Sequence, residues 1–579
     1  MRRRTPWPAA LLVAVGACLT ACVQVPDAGP VVETHDGAQD APVDSPYNNP
    51  PPPSPGADPA AIVSGFLDAM TATPLQTRVA MKYLTSSAAS SWKPQDGGVV
   101  AYTGLRQPRG QSAVKVRLRG ADRIGAAGQW LGPIGPAASR LTFPMRKENG
   151  EWRIAVAPNA LLVPRTFYEQ AFQDAALYYF DPTGRRLVPE VVHMPRGQQL
   201  ITALIQALLL GPSPDLADGV VRTFVPPGLT AGPLVVNQGS VAVTLGGQDP
   251  GPLDRRTTRL MLSQLAWTLR QDPTVTTFSL SIAGRQVTDA SGASSFRVDS
   301  PEADRYDPAV PLASSQLYAL RRGLLVSGQA NHLTPVGGPF GTNVQGIGPF
   351  AVSLQDDQVA ATTPDSLLLG PVRSGARPAQ VLVGTGLLTP AWDFANRLWE
   401  VQNRSHGGAV VLDVSGGQVQ TVRVPGVSGE NVRHFLVSRD GSRLVAVLRG
   451  AQRDRIVVSR LRYGRVVSGT RAQPIPWTTG ASTRLRDVGW MSPTTIAVLD
   501  QVSRSQAEVL LLDVDGSMSP AEVNPIVVQG RALSLATSPA SATLNAPFAV
   551  LPGELFDLAQ VDTNAQQGIV GLRHITYAG

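Results

Sequence analysis

From about residue 306 to 579 the chain is a succession of short β-type runs broken by turns, and this repetition limits the folds open to it more than any other feature. Examples are "FAVSLQDDQVAATT", "AVVLDVSGGQVQTVRV", "RHFLVSRDGSRLVAVLRG" and "EVLLLDVDGSM". Two units repeat. One is a polar turn leading into an alternating strand, as in Ser438-Arg439-Asp440-Gly441-Ser442-Arg443-Leu444-Val445. The other is a tryptophan followed six residues later by Leu or Ile, in Trp392 to Leu398 and Trp490 to Ile496. Strand–turn–strand units at a period of roughly 40–50 residues are the mark of a β-propeller. At that period about six blades fit the length. A pair of β-sandwiches is the alternative, and the likeness of the units to one another argues against it.

The N-terminus carries a different signal. Arg2, Arg3 and Arg4 precede an uncharged apolar run, AALLVAVGA at 9–17, and small residues lead to Cys22. This is the order of an export signal, and the run is too short for a spanning helix of about 20 residues. The general secretory route fits better than twin-arginine export. Leu19-Thr20-Ala21-Cys22 resembles the bacterial lipobox, whose cysteine is acylated and becomes the first residue after cleavage. Val15-Gly16-Ala17-Cys18 is a poorer match and would shorten the apolar run. The only cysteines are Cys18 and Cys22, so cleavage before Cys22 leaves no intrachain disulfide. A large exported chain tolerates this, because disulfides mainly rescue domains too small to bury a core. Two or more acyl chains on Cys22 give lasting attachment where one does not.

Residues 23–58 contain no Lys or Arg and several acids, and end in a proline run at 50–53. Such a segment buries too little apolar surface to fold. Fully extended at ~3.1 Å per residue, about 35 residues reach ~100 Å, so the segment reads as a tether. The formal net charge is +7, but three arginines lie in the leader. The other arginines read as dispersed, with no basic stripe interleaved with aromatics, so no nucleic-acid partner is expected.

Two regions lie between tether and repeats. In 58–163, Ile62, Phe66 and Met70 mark a helix face. A second helix is expected at 75–84, and then antiparallel strands. Val114, Val116 and Leu118 alternate with charged residues, and Asn149-Gly150 is a strong hairpin signal. Helices followed by a bent sheet resemble the NTF2-like fold. In 164–299, "ALYYFDPTGRRLVPEVVHMP" reads as strand, turn, strand. A helix with Leu200, Leu204, Ala207 and Leu208 on one face follows, stopped by Gly211-Pro212. Then come a hairpin with Val241, Val243 and Leu245 alternating, a helix and a strand. This order, with "VPPG" and "QLAWTLRQDPTVTTFSLSIAG", resembles the GerMN domain, found in exported envelope proteins.

No catalytic constellation stands out. The six histidines, His35, His193, His332, His406, His434 and His574, show no metal-ligand spacing. "LDVDGSM", with Asp513 and Asp515, lacks the downstream Glu of a calcium loop and reads as an Asp-Gly turn. The glycine-rich stretch 335–348 does not lead into a helix, and Asp356-Asp357 reads as a solvated hairpin.

Taken in order, lipobox, acidic spacer, NTF2-like region, GerMN and propeller resemble the LpqB family of actinobacterial lipoproteins across nearly the whole chain. The resemblance implies a multidomain architecture: an α+β (NTF2-like) domain and an α+β (GerMN) domain followed by an all-β propeller. The corresponding boundaries are a signal peptide at 1–21, lipidated Cys22 and tether at 22–57, then domains at 58–163, 164–299 and 300–579. It further implies a protein on the extracytoplasmic face of the cell membrane, anchored by N-terminal lipid such as palmitate on Cys22. Its expected role is accessory to the MtrA–MtrB two-component system: it acts on the sensor kinase outside the membrane and affects envelope homeostasis and division. No catalytic residue, cofactor or metal is expected. Two other readings remain, a binder of cell-wall peptidoglycan and a propeller-based hydrolase.

Overall fold

The computed structural model describes residues 48–310, 313–404, 406–415, 417–477, 484–517, 525–560 and 566–579. Leu19, Thr20, Ala21, Cys22 and most of the tether lie outside these residues. From Ser45 on, the chain forms one compact unit.

Helix α1 (Pro59–Asp68) starts with Asp58 as its cap, the side chain accepting from the Ala61 amide, and Pro59 in the first turn. Its apolar face, with Ile62 and Phe66 fully buried, packs on a six-stranded sheet. The strands are β1 (Val99–Arg109), β2 (Ala113–Ile124), β3 (Trp130–Pro133), β4 (Arg140–Glu148), β5 (Glu151–Ile154) and β6 (Leu161–Pro164). Val114, Val116 and Leu118 face the core, as the alternation requires. Asn149 and Gly150 both take positive φ, 53° and 83°, in the tight turn joining β4 to β5. Two expectations need correction. The helix at 75–84 is a single turn, Arg78–Met81. The Tyr83 carbonyl and Thr85 amide are taken by Ile154 on β5 at 2.9 Å each, and Thr85 then caps a new helix, Ser86–Ser91. The sheet is also mixed, because β6 pairs with β1 in parallel.

The next part opens with a two-stranded ribbon, β7 (Phe172–Phe180) and β8 (Leu187–Pro195). Helix α2 (Leu200–Leu210) buries Leu200, Leu204, Ala207 and Leu208, and ends where Gly211 takes φ 76°. Strand β11 (Ser240–Gly247) pairs with the two-residue β10 (Val236–Asn237) and with β9 (Leu229–Ala231). Helix α3 (Arg255–Leu269) then carries the chain over to β12 (Thr277–Ile282), parallel to β11. Val241, Val243, Leu245, Phe278 and Leu280 are at most 1% exposed in the shared core.

The C-terminal part holds, among the described residues, six further sheets of four or five strands. Their first strands, Phe350–Val352, Ala391–Trp392, Val432–Val437, Leu485–Trp490, Ser534–Ala536 and Leu572–Thr576, touch in succession. The last pairs with Leu317–Arg321, so the C-terminal strand completes the blade that the N-terminal strands of the domain begin. The Gly579 amide donates to Val352 O at 2.9 Å and links the ends of the ring. This is a six-bladed propeller. Both sequence repeats are its first hairpins. Trp392 pairs with Leu398 and Trp490 with Ile496 across the same turn of two blades. Ser353 and Ser438 each accept from the amides four and five residues on, holding the equivalent turn in two others.

Two readings of that region are corrected. Asp356 is buried rather than solvated, because Tyr318 and Arg373 both donate to its carboxylate. The glycine-rich stretch contains a one-turn helix, Pro339–Thr342, with Phe340 fully buried.

Candidate functional site

Strand β8 is the element around which the domains meet. Val188, Val192 and Met194 point into the core beneath α2 and α3. Val191 and His193 alternate with them and meet the propeller, which the Pro189 carbonyl and the Glu190 carboxylate also reach. Val191 is 4% exposed in a cluster with Val445, Val447 and Trp490. Arg443, fully buried, donates to Pro189 O and to Ser442 Oγ and lies 3.4 Å from Glu190. Arg460 pairs with the other oxygen of Glu190 at 2.6 Å. The first domain reaches the same strand, Gly128 O accepting from the His193 amide at 2.8 Å.

His193 is the junction's titratable centre. Its Nδ1 lies 2.8 Å from Asp174, its register partner on β7, and its Nε2 lies 3.1 Å from Asp515 in a propeller turn. Burial lowers the imidazole pKa, but hydrogen bonds and charge from both carboxylates outweigh it and hold it up at about 9. Burial pushes Asp515 up, yet the imidazolium and Ser517 outweigh that and hold it below the usual carboxylate range. Burial, with Asp174 and Asp515 adding charge, raises nearby Asp513 to about 7. A histidine charged and gripped from both sides is suited to holding domains together and poorly suited to exchanging protons.

Arg439 closes the same face. Its side chain donates to Ala309 O at 2.9 Å and Ala578 O at 2.7 Å, tying the incoming chain and the C-terminus to a blade turn. Burial lowers the pKa of both Arg439 and Arg443 to about 10. Phe394, in the turn of the neighbouring blade, receives Arg185 and Arg186 over its ring at 5.7 Å each. Arg439 and Phe394 sit in, and Arg443 and Trp490 beside, turns joining first to second strands, and Asp515 sits in a turn joining a third to a fourth.

Turns joining second to third strands emerge on the other face, because successive antiparallel strands alternate direction. A cavity of about 890 Å³ lies there, lined by Arg449, Arg484, Arg486, Gln501, Arg504 and Arg531. Leu485 and Ser503 also line it. Arginines that read as dispersed in sequence are thus gathered by three blades.

Among the described residues no group of three or more His, Cys, Asp or Glu has the arrangement of a metal site. No helix there is long and apolar enough to cross a membrane. Sequence reading missed both the His193 junction and the arginine cavity. The one available hint was β8 itself: "LVPEVVHM" is apolar on both faces, the pattern of a strand covered on two sides.

Three family models match the chain: the N-terminal domain of lipoprotein LpqB over 52–169, the sporulation and spore germination (GerMN) domain over 176–288, and the LpqB β-propeller domain over 323–542. Lipoprotein LpqB of Thermobifida fusca is 28% identical over 561 residues, covering 86% of this chain and 88% of that protein. Lipoprotein LpqB of Mycobacterium tuberculosis is 27% identical over 547 residues, covering 85% and 88%. Among solved structures, TolB from Acinetobacter baumannii matches at 13% identity and a TM-score of 0.32, over 54% of this chain and 85% of that one. A likeness that weak carries no inference.

Proposed function

We propose, from the premise that the chain belongs to the LpqB family of lipoproteins, that it binds the extracytoplasmic part of an MtrB-like sensor kinase and modulates its signalling. Envelope homeostasis and division are the processes this would affect. Cys22, lipidated before cleavage and the first residue after it, is the proposed anchor. Lipid confines the protein to the plane in which the kinase lies, and that confinement raises effective concentration enough for modest affinity to suffice.

The observation that carries this reading is the union of the domains through β8. A buried arginine, a charged histidine and apolar packing hold the propeller against the GerMN region as a single body. The propeller face opposite that junction bears exposed Arg486, Arg504 and Arg531. A rigid body with one face engaged internally and another presented outward suits a binding partner. The state of His193 supports a non-catalytic role, since an imidazole with a pKa of about 9 stays charged at neutral pH.

The test is co-purification of the full-length lipoprotein with the kinase from membranes. Retention of the kinase is expected, with signalling output altered by Cys22→Ser. Failure to retain the kinase together with unchanged output overturns the reading. Sedimentation with purified cell wall in place of kinase retention would transfer the function to wall binding.

A further inference from the structure

The arginine cavity is built before any ligand arrives. Arg449 follows directly on strand Arg443–Leu448, Arg484 and Arg486 flank the first residue of Leu485–Trp490, and Arg531 precedes Ser534–Ala536. Arg504 lies in the turn between Thr495–Gln501 and Gln506–Asp513. Asp454, fully buried, sets two of the five. Its Oδ1 lies 3.0 Å from Arg449 Nε and 3.0 Å from Arg484 Nη1, and its Oδ2 accepts from the Leu485 amide at 3.0 Å. Arg484 also donates to Gly450 O at 2.8 Å and Ala451 O at 3.0 Å. Gln501 fixes the opposite wall. It donates to the carbonyls of Ser503, Gln506 and Gly530 at 2.7–3.1 Å and accepts from the Ala532 amide at 3.1 Å.

The other three guanidiniums are placed differently. Arg486, Arg504 and Arg531 are exposed, and none has a hydrogen bond or ion pair among the described residues. The acids nearby do not reach them. Asp454 is committed to Arg449 and Arg484, and Asp500, the sheet partner of Leu485, is fully buried with both oxygens lacking a hydrogen-bond partner. Positive charge therefore gathers at the mouth of a concave, protein-walled space, where field lines concentrate and counter-anions accumulate.

The lining selects among anions. Arginine forks match the oxygens of phosphate and carboxylate. Among the described residues Leu485 is the one apolar side chain in the wall, and no aromatic ring lines it. The cavity thus offers no stacking platform for a sugar or base, and no apolar pocket of the kind that anchors a peptide side chain. Its volume of about 890 Å³ far exceeds one tetrahedral anion. We infer that this cavity is a binding site for a ligand bearing two or more phosphate groups, which Arg486, Arg504 and Arg531 contact while Arg449 and Arg484 supply the fixed positive floor. The phosphates can belong to a soluble oligophosphate or to lipid headgroups. The inference stands apart from the kinase reading and is tested without it.

The full chain is titrated with tripolyphosphate by calorimetry at low and at physiological salt. Saturable binding is expected, weakening as salt screens the charges. Combined Arg486→Ser, Arg504→Ser and Arg531→Ser is expected to weaken it by about 100-fold, which corresponds to ~2.7 kcal/mol. The control replaces three exposed arginines of the first sheet, Arg106, Arg117 and Arg119, and is expected to bind as the parent does. Vesicles of phosphatidylglycerol, with phosphatidylcholine as the blank, form the second arm. Loss of vesicle binding in the cavity variant alone assigns the phosphates to lipid, and loss of tripolyphosphate binding alone assigns them to a soluble ligand. Absence of saturable binding in both arms overturns the inference, as do equal weakening in the control and equally tight binding of a glutamate oligomer of matched charge.

Discussion

On the covered face of the propeller, arginines are buried and each meets a defined acceptor; on the free face they are partly or fully exposed and three of them meet none among the described residues. Arg443 and Arg439 have lost nearly all hydration, and carbonyls of β8, of the incoming chain and of the C-terminus replace the water they gave up. Arg486, Arg504 and Arg531 retain their water. The same residue type therefore serves cohesion in one place and leaves binding capacity in the other. Desolvation decides which: removing one partner of a buried ion pair strands the other, whereas an exposed charge is replaced by solvent at little cost.

Substitutions can break that contrast, and the covered face is where the largest effect is expected. Arg443→Ala leaves buried Asp440 without its guanidinium and Glu190 with Arg460 alone, and should cost about 3–5 kcal/mol, read as a fall in the thermal midpoint. The pH response of His193 comes next. Its folded pKa of about 9 exceeds the unfolded value near 6.5, so its contribution is complete below about pH 6.5 and is lost as pH rises through about 9. Because Asp174 is partly exposed, this amounts to about 2–3 kcal/mol rather than more. Calorimetry from neutral to alkaline pH should show that loss in the parent and a flatter alkaline limb in His193→Gln.

Gly128→Ala probes the first domain's contact with the same strand. Gly128 has φ 80°, and an added Cβ would come within 2.8 Å of the Met194 methyl and 3.0 Å of His193 O. A cost of about 1–2 kcal/mol is expected, measured by denaturant midpoint. The smallest effect belongs to the free face. Arg504→Ser should change stability by no more than about 0.5 kcal/mol. A larger loss there would mean that the free-face arginines are structural after all, and the contrast between the faces would fail.

Much of the local architecture was readable in the sequence. Asn149-Gly150 announced its hairpin because few other pairs accept positive φ twice. Val114, Val116 and Leu118 announced a one-sided strand, and Gly211 the end of α2. The tryptophan repeat marked equivalent hairpins in two blades because a blade's first turn fixes which residues pair across it. The helix expected at 75–84 failed for a non-local reason, since a strand edge at Ile154 captured its last turn. Asp356 was misjudged in the same way, because Tyr318 and Arg373 reach it from 38 and 17 residues away.

The junction and the cavity were not readable. Asp515 is 322 residues from His193, and the cavity arginines are scattered between 449 and 531. Periodicity and turn chemistry act over a few residues, so the sequence alone determined the strands, their hairpins and the repeating blade. Which face of the ring β8 would cover, and so which arginines would be buried and which left to solvent, depended on packing between distant surfaces. That choice was made only when the assembled domains excluded water from one face and not from the other.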